Sequence, residues 1–123
     1  MTEAYIKLGD LKVYRLTVTW ANECWKLYEK FDWHDQKIIG DQFITAVDSV
    51  GANIAEGYGR FHYLDRIKFY YNARASLFET KHWLLTMHNR KKIPVEQFNS
   101  LLHQAEEIHL VLNLFISSCY PKK

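Results

Sequence analysis

The sequence predicts an all-α protein, an antiparallel up-down four-helix bundle. Apolar residues recur at intervals of three and four along four separate stretches, which places them on one face of each of four helices. No stretch shows the alternation of apolar and polar residues that is typical of a strand. Because the connections are short, the four apolar faces are most simply buried against each other, in a single domain over residues 1–123.

Composition limits the function classes. The chain is 48% hydrophobic, with 16 basic and 14 acidic residues, so any basic surface must come from local clustering. Aromatic residues make up 15%, which indicates large contact surfaces between subunits or with a ligand. The start of the chain lacks an apolar leader and no apolar run reaches about 18 residues, which predicts a cytoplasmic protein. Cys24 and Cys119 fall on apolar stripes, which predicts that both are buried free thiols.

The first half of the chain predicts a tail and two helices. Residues 1–9 form the tail, and Asp10 is the expected N-cap of a helix that runs to about Phe31. Its apolar stripe is Leu16, Trp20, Cys24, Leu27 and Phe31. Residues 32–40 are predicted as a connection, and Asp41 as the cap of a second helix that ends near Glu56. The apolar face of that helix is Phe43, Val47, Val50 and Ile54.

The second half predicts two longer helices. The third helix extends from about Tyr63 to His88, and a basic stop signal follows it. Its predicted buried side is Leu64, Ile67, Tyr71, Phe78 and Leu85, with Leu77 and Leu84 beside them. Pro94 suits the first turn of the fourth helix. That helix has two heptad seams, Phe98, Ala105, Leu112 and Cys119 in one and Leu101, Ile108 and Phe115 in the other.

The end of the second helix, residues 46–60, is the most informative stretch. Gly57 and Gly59 interrupt the helical pattern, and Gly57 is expected in the left-handed conformation that closes a helix. One interpretation is a structural corner in which Arg60 pairs with Glu56 or with the last carbonyls. The members of this corner are Asn53, Glu56, Gly57, Gly59 and Arg60. The other interpretation is a polar site with a mobile glycine loop.

The same stretch resembles the signature of a bacterial four-helix-bundle family, the 23S rRNA intervening sequence proteins. The resemblance lies in the run NIAEG at residues 53–57, then Gly59 and Arg60, with Gln42 opening the helix and ARASLFE at residues 73–79. A related branch is the accessory variability determinant of diversity-generating retroelements. The resemblance implies a ring-shaped homo-oligomer, a homopentamer, that contacts nucleic acid and a reverse transcriptase. The chain departs from the family pattern at four places. Phe43, Ile44 and Thr45 replace basic residues, and His62 replaces a serine. Ala75 replaces a glycine, and residues 33–35 replace a Phe-Pro pair.

Two Glu-x-x-His motifs raise the question of a di-iron site. Glu79 with His82, and Glu106 with His109, lie on two different helices, as such sites require. At about 100° per residue, both glutamates turn away from their helices' apolar faces, where no shared metal could join them. No nucleophilic serine motif or phosphate-binding glycine loop is present in the sequence. We therefore expect no catalytic residues, no metal, no cofactor and no enzymatic activity.

Basic and aromatic residues alternate between residues 60 and 74, a mixture that suits contact with RNA or DNA. The predicted nucleic-acid contacts are Arg60, Arg66, Lys68, Arg90, Lys91 and Lys92, with Lys122 and Lys123 as an extension. The sequence thus predicts a non-enzymatic oligomer, an accessory factor that binds nucleic acid or a nucleic-acid-handling protein. The alternative is a protein-interaction scaffold with no nucleic-acid role.

Overall fold

The computed structural model describes residues 6–121, and this range contains helices and no strand. The long helices are α1 (Lys12–Lys30), α2 (Asp41–Tyr58), α3 (Tyr63–Asn89) and α4 (Val95–Cys119). The prediction of an all-α protein with four long helices is confirmed. Residues 1–5 of the predicted tail, and the extension at residues 122–123, lie outside the described residues.

Each long helix packs against two others. Helix α1 packs on α2 and on α4, and α3 packs on both α2 and α4. The core that they enclose is apolar, and Trp20 on α1 is its largest fully buried side chain. The indole Nε1 of Trp20 donates a hydrogen bond to the Leu101 carbonyl at 3.1 Å, which joins α1 to α4. The buried ring therefore contributes both apolar burial and a satisfied polar group.

The periodicity predicted the buried faces of three helices well. All four members of the α2 stripe are fully buried, as are Trp20 and Cys24 on α1. Both cysteines are free thiols, and burial raises the pKa of Cys24. Both α4 seams face the core, although Phe115 and Cys119 are only partly buried. The stripes omitted six buried residues of these helices, which are Val13, Thr17, Ile44, Ala46, Gly57 and Ile116.

Two predicted helix starts are wrong. Asp10 lies in a short 3-10 turn, and Leu11 occupies the N-cap of α1. The predicted connection at residues 32–40 is helical, with a short helix at Trp33–Asp35 and a π-helix at Gln36–Gly40 that continues into α2. Asp32 caps this segment by accepting the Asp35 amide at 2.8 Å. Asp41 is consequently no cap; it accepts the Tyr28 hydroxyl at 2.6 Å, which raises the pKa of Tyr28.

The buried face predicted for α3 is wrong in its main stripe. Four residues spaced seven apart are between 43% and 55% exposed: Leu64, Tyr71, Phe78 and Leu85. The prediction is confirmed for Ile67, Leu77 and Leu84, and the helix also buries Tyr70, Ala73, Thr80, Lys81 and Met87. Because α3 is apolar on two sides, its periodicity could not identify which side meets α2. The buried side is the one on which small Ala73 permits close helix approach.

In the described part of the chain, no helix has the length and apolar character needed to cross a membrane.

Candidate nucleic-acid interface

The predicted corner joins α2 to α3, but Gly57 is not left-handed. It lies inside α2, and no glycine among residues 6–121 has a positive φ. A Cβ placed on Gly57 would lie 2.7 Å from Cε1 of Tyr70 and 3.0 Å from the Arg66 carbonyl oxygen. Gly57 is therefore required for the close approach of two helices, and the helix continues through it to Tyr58.

The two signature runs meet across the interface between α2 and α3. The Asn53 side-chain amide donates to the Ser49 carbonyl at 2.8 Å and to the Ser49 Oγ at 3.0 Å. From α3, Ser76 Oγ donates to the same Ser49 Oγ at 3.0 Å. A polar chain thus connects the NIAEG run to the ARASLFE run. This contact gives Asn53 and Ser76 a role in packing two helices.

Two of the predicted contact cations are engaged within the corner. The Arg60 guanidinium lies 3.8 Å from the Glu56 carboxylate and 4.7 Å from the centre of the Phe69 ring. Arg66 Nε donates to the Arg60 carbonyl at 2.5 Å, and its guanidinium lies 5.9 Å from the Tyr58 ring. Lys68 is exposed on the first turns of α3. We call residues 56–68 the corner end of the molecule.

The other predicted cations lie far from the corner. Helix α3 has 27 residues and is therefore about 40 Å long. Arg90 and Lys91 follow its last residue and are exposed, and Lys91 has a φ of 58°. Lys92 Nζ lies 3.2 Å from the Asp35 carboxylate. The six predicted contact residues therefore form two groups at opposite ends of α3, and the structure does not bring them together.

Trp33 is a residue of this second group that sequence reasoning missed. Its side chain is 71% exposed, and Lys37 Nζ lies 5.7 Å from the centre of its ring. Asp35, two residues further along, holds Lys92. We call Trp33, Lys37, Arg90, Lys91 and Lys92 the open end. The signal was the spacing of Trp33 and Lys37, which share a face only if the segment is helical.

The Glu-x-x-His residues form a different arrangement from a metal site. Lys81, only 8% exposed, lies 3.0 Å from the Glu106 carboxylate and 2.8 Å from His109 Nδ1. Glu79 instead accepts the Trp83 indole N–H at 3.1 Å. No group of three or more potential metal ligands occurs among residues 6–121. Glu106 and His109 therefore contact Lys81 at the α3–α4 boundary, whereas Glu79 makes an exposed hydrogen bond with Trp83.

His109 is held in its neutral form. Burial lowers its pKa, the Lys81 and Arg74 charges lower it further, and Glu106 opposes them. Because Lys81 can only donate, Nδ1 of His109 is the acceptor and the proton is on Nε2. Within the described residues, this buried Nε2 has no hydrogen-bond partner. The imidazole packs edge-on against Phe78, with ring centres 4.8 Å apart.

The exposed residues Leu64, Tyr71, Phe78 and Leu85, which we call the flank stripe, follow the groove between α3 and α4. The Tyr71 and Tyr120 hydroxyls are 3.4 Å apart, and Phe78 contacts His109. On the outer side of α4, Leu110 is 63% exposed and Leu114 is 66% exposed. Two sets of large apolar side chains, one on α3 and one on the outer side of α4, are therefore uncovered.

Comparisons with known proteins agree with this fold. A sequence model for the family described as 23S rRNA-intervening sequence protein matches residues 9–114. The chain belongs to this family. It is also similar to a crystal structure from Bacteroides thetaiotaomicron VPI-5482, described as a protein of unknown function from the S23 ribosomal protein family, with 28% identity and a TM-score of 0.78. The similarity covers 85% of this chain and 97% of the other. No curated protein matches the chain.

The match places both signature runs inside the region that defines the family, because residues 53–60 and 73–79 lie within residues 9–114. In this member of the family those runs pack α2 on α3. Trp33 also lies within the matched region.

Proposed function

We propose that this family member is a non-enzymatic homo-oligomer that acts as an accessory factor and binds nucleic acid. The observation that carries the proposal is the distribution of side chains along α3. Its apolar flank stripe is uncovered over most of its length, and exposed cations follow its last turn. The first feature supports self-assembly and the second supports contact with phosphates.

The contact pairs support an antiparallel up-down arrangement of the bundle. Residues later in one helix approach residues earlier in the next. Between α1 and α2, the side chain of Thr17 is near Gly51, and Tyr28 bonds to Asp41. The same order is found between α2 and α3 and between α3 and α4, in the pairs Ser49–Ser76, Gly57–Tyr70, Phe78–His109 and His88–Phe98.

The uncovered apolar area supplies part of what an interface between subunits needs. Large apolar side chains that are half exposed each offer roughly 100 Å². The flank stripe therefore offers roughly 400 Å² and Leu110 with Leu114 roughly 200 Å², against about 800 Å² per partner in a typical stable interface. A strict seven-residue spacing over 22 residues is also the spacing with which a helix meets a neighbouring helix.

The charges support contact between two different faces of neighbouring copies. Arg74 lies beside Phe78 of the flank stripe, whereas Glu107 is exposed on α4 near Leu110. A stripe that packs on the α4 face of the next copy brings opposite charges together. A head-to-tail contact of this kind generates a closed ring when its rotation closes. The family resemblance supplies the number of subunits, five.

Size-exclusion chromatography with light scattering tests the assembly. We expect a homo-oligomer for the wild-type protein and a shift to monomer for Leu85→Asp or Leu114→Asp, because each places a charge in the buried interface. Phe61→Asp is the matched control, since Phe61 is 98% exposed and lies outside the stripe. A wild-type monomer at micromolar concentration, or an unchanged mass for both stripe variants, contradicts the proposal.

Fluorescence anisotropy with labelled structured RNA and duplex DNA at two salt concentrations tests nucleic-acid binding. Several phosphate contacts make the affinity fall steeply as salt increases. An absence of binding at low salt contradicts the proposal. A partner protein that then stays bound after nuclease treatment and at high salt would support the interaction scaffold instead.

A further inference from the structure

We propose that the open end is a binding site for single-stranded nucleic acid. One unpaired base stacks on the Trp33 indole, and Lys37, Arg90 and Lys91 contact the adjoining phosphates. This inference rests on the proposed function and deepens it, because it identifies which of the two basic ends makes the contact and what form of nucleic acid it accepts.

The Trp33 ring has the exposure that stacking requires. It is the most exposed large apolar side chain of the described residues after Phe61. Lys37 Nζ lies over one face of this ring, 5.7 Å from its centre, which leaves the other face for a base. Every nucleobase offers a flat π-face, and an aromatic ring next to cations is how proteins bind unpaired bases without reading their sequence.

The chain holds this ring in a fixed position relative to the basic turn. Asp32 caps the short helix that carries Trp33, and the Gln36 side chain donates to the Tyr28 carbonyl at 3.2 Å. Lys92 then ties the same short helix to the turn after α3 through Asp35, at 3.2 Å. The segment that carries Trp33 is therefore linked to the cations that follow α3, which limits the conformational entropy lost on binding.

The charges of the open end favour a polyanion. The Asp35 carboxylate is paired with Lys92, and the Asp32 carboxylate accepts a backbone amide. Among residues 6–121, no carboxylate lies within ion-pair distance of Arg90, Lys91 or Lys37. Lys91 has a positive φ because it closes α3, where the Lys92 amide donates back to the Met87 carbonyl at 2.8 Å.

The corner end differs in its arginines, although it also has an exposed ring, Phe61, and an exposed lysine, Lys68. Its Arg60 pairs with Glu56 and covers Phe69, and Arg66 is bonded to a backbone carbonyl. A phosphate would compete with these contacts. A preference for single strands follows from Trp33, because base pairing and stacking inside a duplex hide the faces on which an indole can stack.

The experiment measures the affinity of the full chain for a labelled 12-nucleotide oligo(dA), for a duplex of equal length, and for inorganic polyphosphate as a competitor without bases. We expect Trp33→Ala to weaken binding of the single strand about tenfold, and to leave competition by polyphosphate unchanged. Trp33→Phe should restore most of the affinity. Trp25→Ala is the matched control, because Trp25 is 47% exposed and its ring already stacks on Tyr28. Arg90→Ala with Lys91→Ala should weaken both ligands and reduce the salt dependence.

The outcomes separate this inference from the function on which it rests. If the wild-type protein binds the oligonucleotide but Trp33→Ala and the Arg90/Lys91 variant bind equally well, the open end is not the site while nucleic-acid binding stands. If the wild-type protein binds none of the three ligands, both fail. Binding of anionic phospholipid vesicles that is lost in Trp33→Ala, with no binding of the oligonucleotide, identifies a membrane-surface site and overturns the inference.

Discussion

The two ends of α3 have similar residue types in different environments. At the corner end, Arg60 and Arg66 are engaged by Glu56, by two aromatic rings and by a backbone carbonyl. At the open end, Arg90 and Lys91 are exposed, and the Trp33 side chain is 71% exposed. A cation that already has local partners stabilises a turn, whereas one that lacks them is available to a ligand. The comparison shows that basic sequence runs must be separated by their contacts before a function is assigned.

The largest expected effect is a loss of stability at the corner end. Gly57→Ala should lower the free energy of unfolding by about 1–3 kcal/mol, because its Cβ would overlap the Tyr70 ring and the Arg66 backbone. Urea denaturation measures the change. Gly59→Ala is the matched control, since its Cβ would meet no atom closer than 3.6 Å. Equal stability of the two variants would show that α2 and α3 are not in close contact at the corner.

The polar chain between α2 and α3 gives the next effect. Asn53→Ala should cost about 1 kcal/mol of stability, because it removes both hydrogen bonds that Asn53 donates to Ser49. Ser76→Ala should cost less, since Ser49 Oγ keeps its bond from Asn53. Thermal and urea unfolding of the two variants measure this order. The reverse order would mean that the NIAEG run does not act through this contact.

Acid should weaken the α3–α4 boundary, which lies between the two ends. His109 has a pKa below its unfolded value, so the unfolded chain binds a proton first as the pH falls below about 6.5. The resulting loss of stability is complete once the pH is below the folded-state pKa. His109→Gln should lose less stability than the wild type between pH 7.5 and 5, because the amide oxygen can accept from Lys81 without titrating. Equal losses would mean that His109 is not neutral in the folded protein.

The smallest expected effect belongs to the exposed corner pair. Arg60→Ala should change stability by less than about 1 kcal/mol, because its contact with Glu56 is solvent-exposed. Its effect on affinity for oligo(dA) should also be smaller than that of Arg90→Ala. A larger loss of affinity in Arg60→Ala, measured by the same titration, would reverse the assignment of the two ends.

The sequence predicted the positions of the helices better than the contacts that their residues make. The α2 stripe was identified because that helix is apolar on one side, and the α4 seams because they repeat every seven residues. The α3 face was wrong because that helix is apolar on two sides, and the choice depends on the neighbours that it meets. Gly57 was assigned to a turn because a glycine needed for helix contact and one needed for a positive φ look alike in a sequence. Trp33 was missed because residues 32–40 were predicted as a connection, whereas they form a helical segment that Asp32 caps.

Hydrogen–deuterium exchange with and without single-stranded oligo(dA) tests the assignment of the open end most directly, because it needs no substitution. The account predicts slower exchange at residues 33–40 and 90–95 on binding, and unchanged exchange at residues 56–66. Protection confined to residues 56–66 would contradict it, and would place the nucleic acid on the corner.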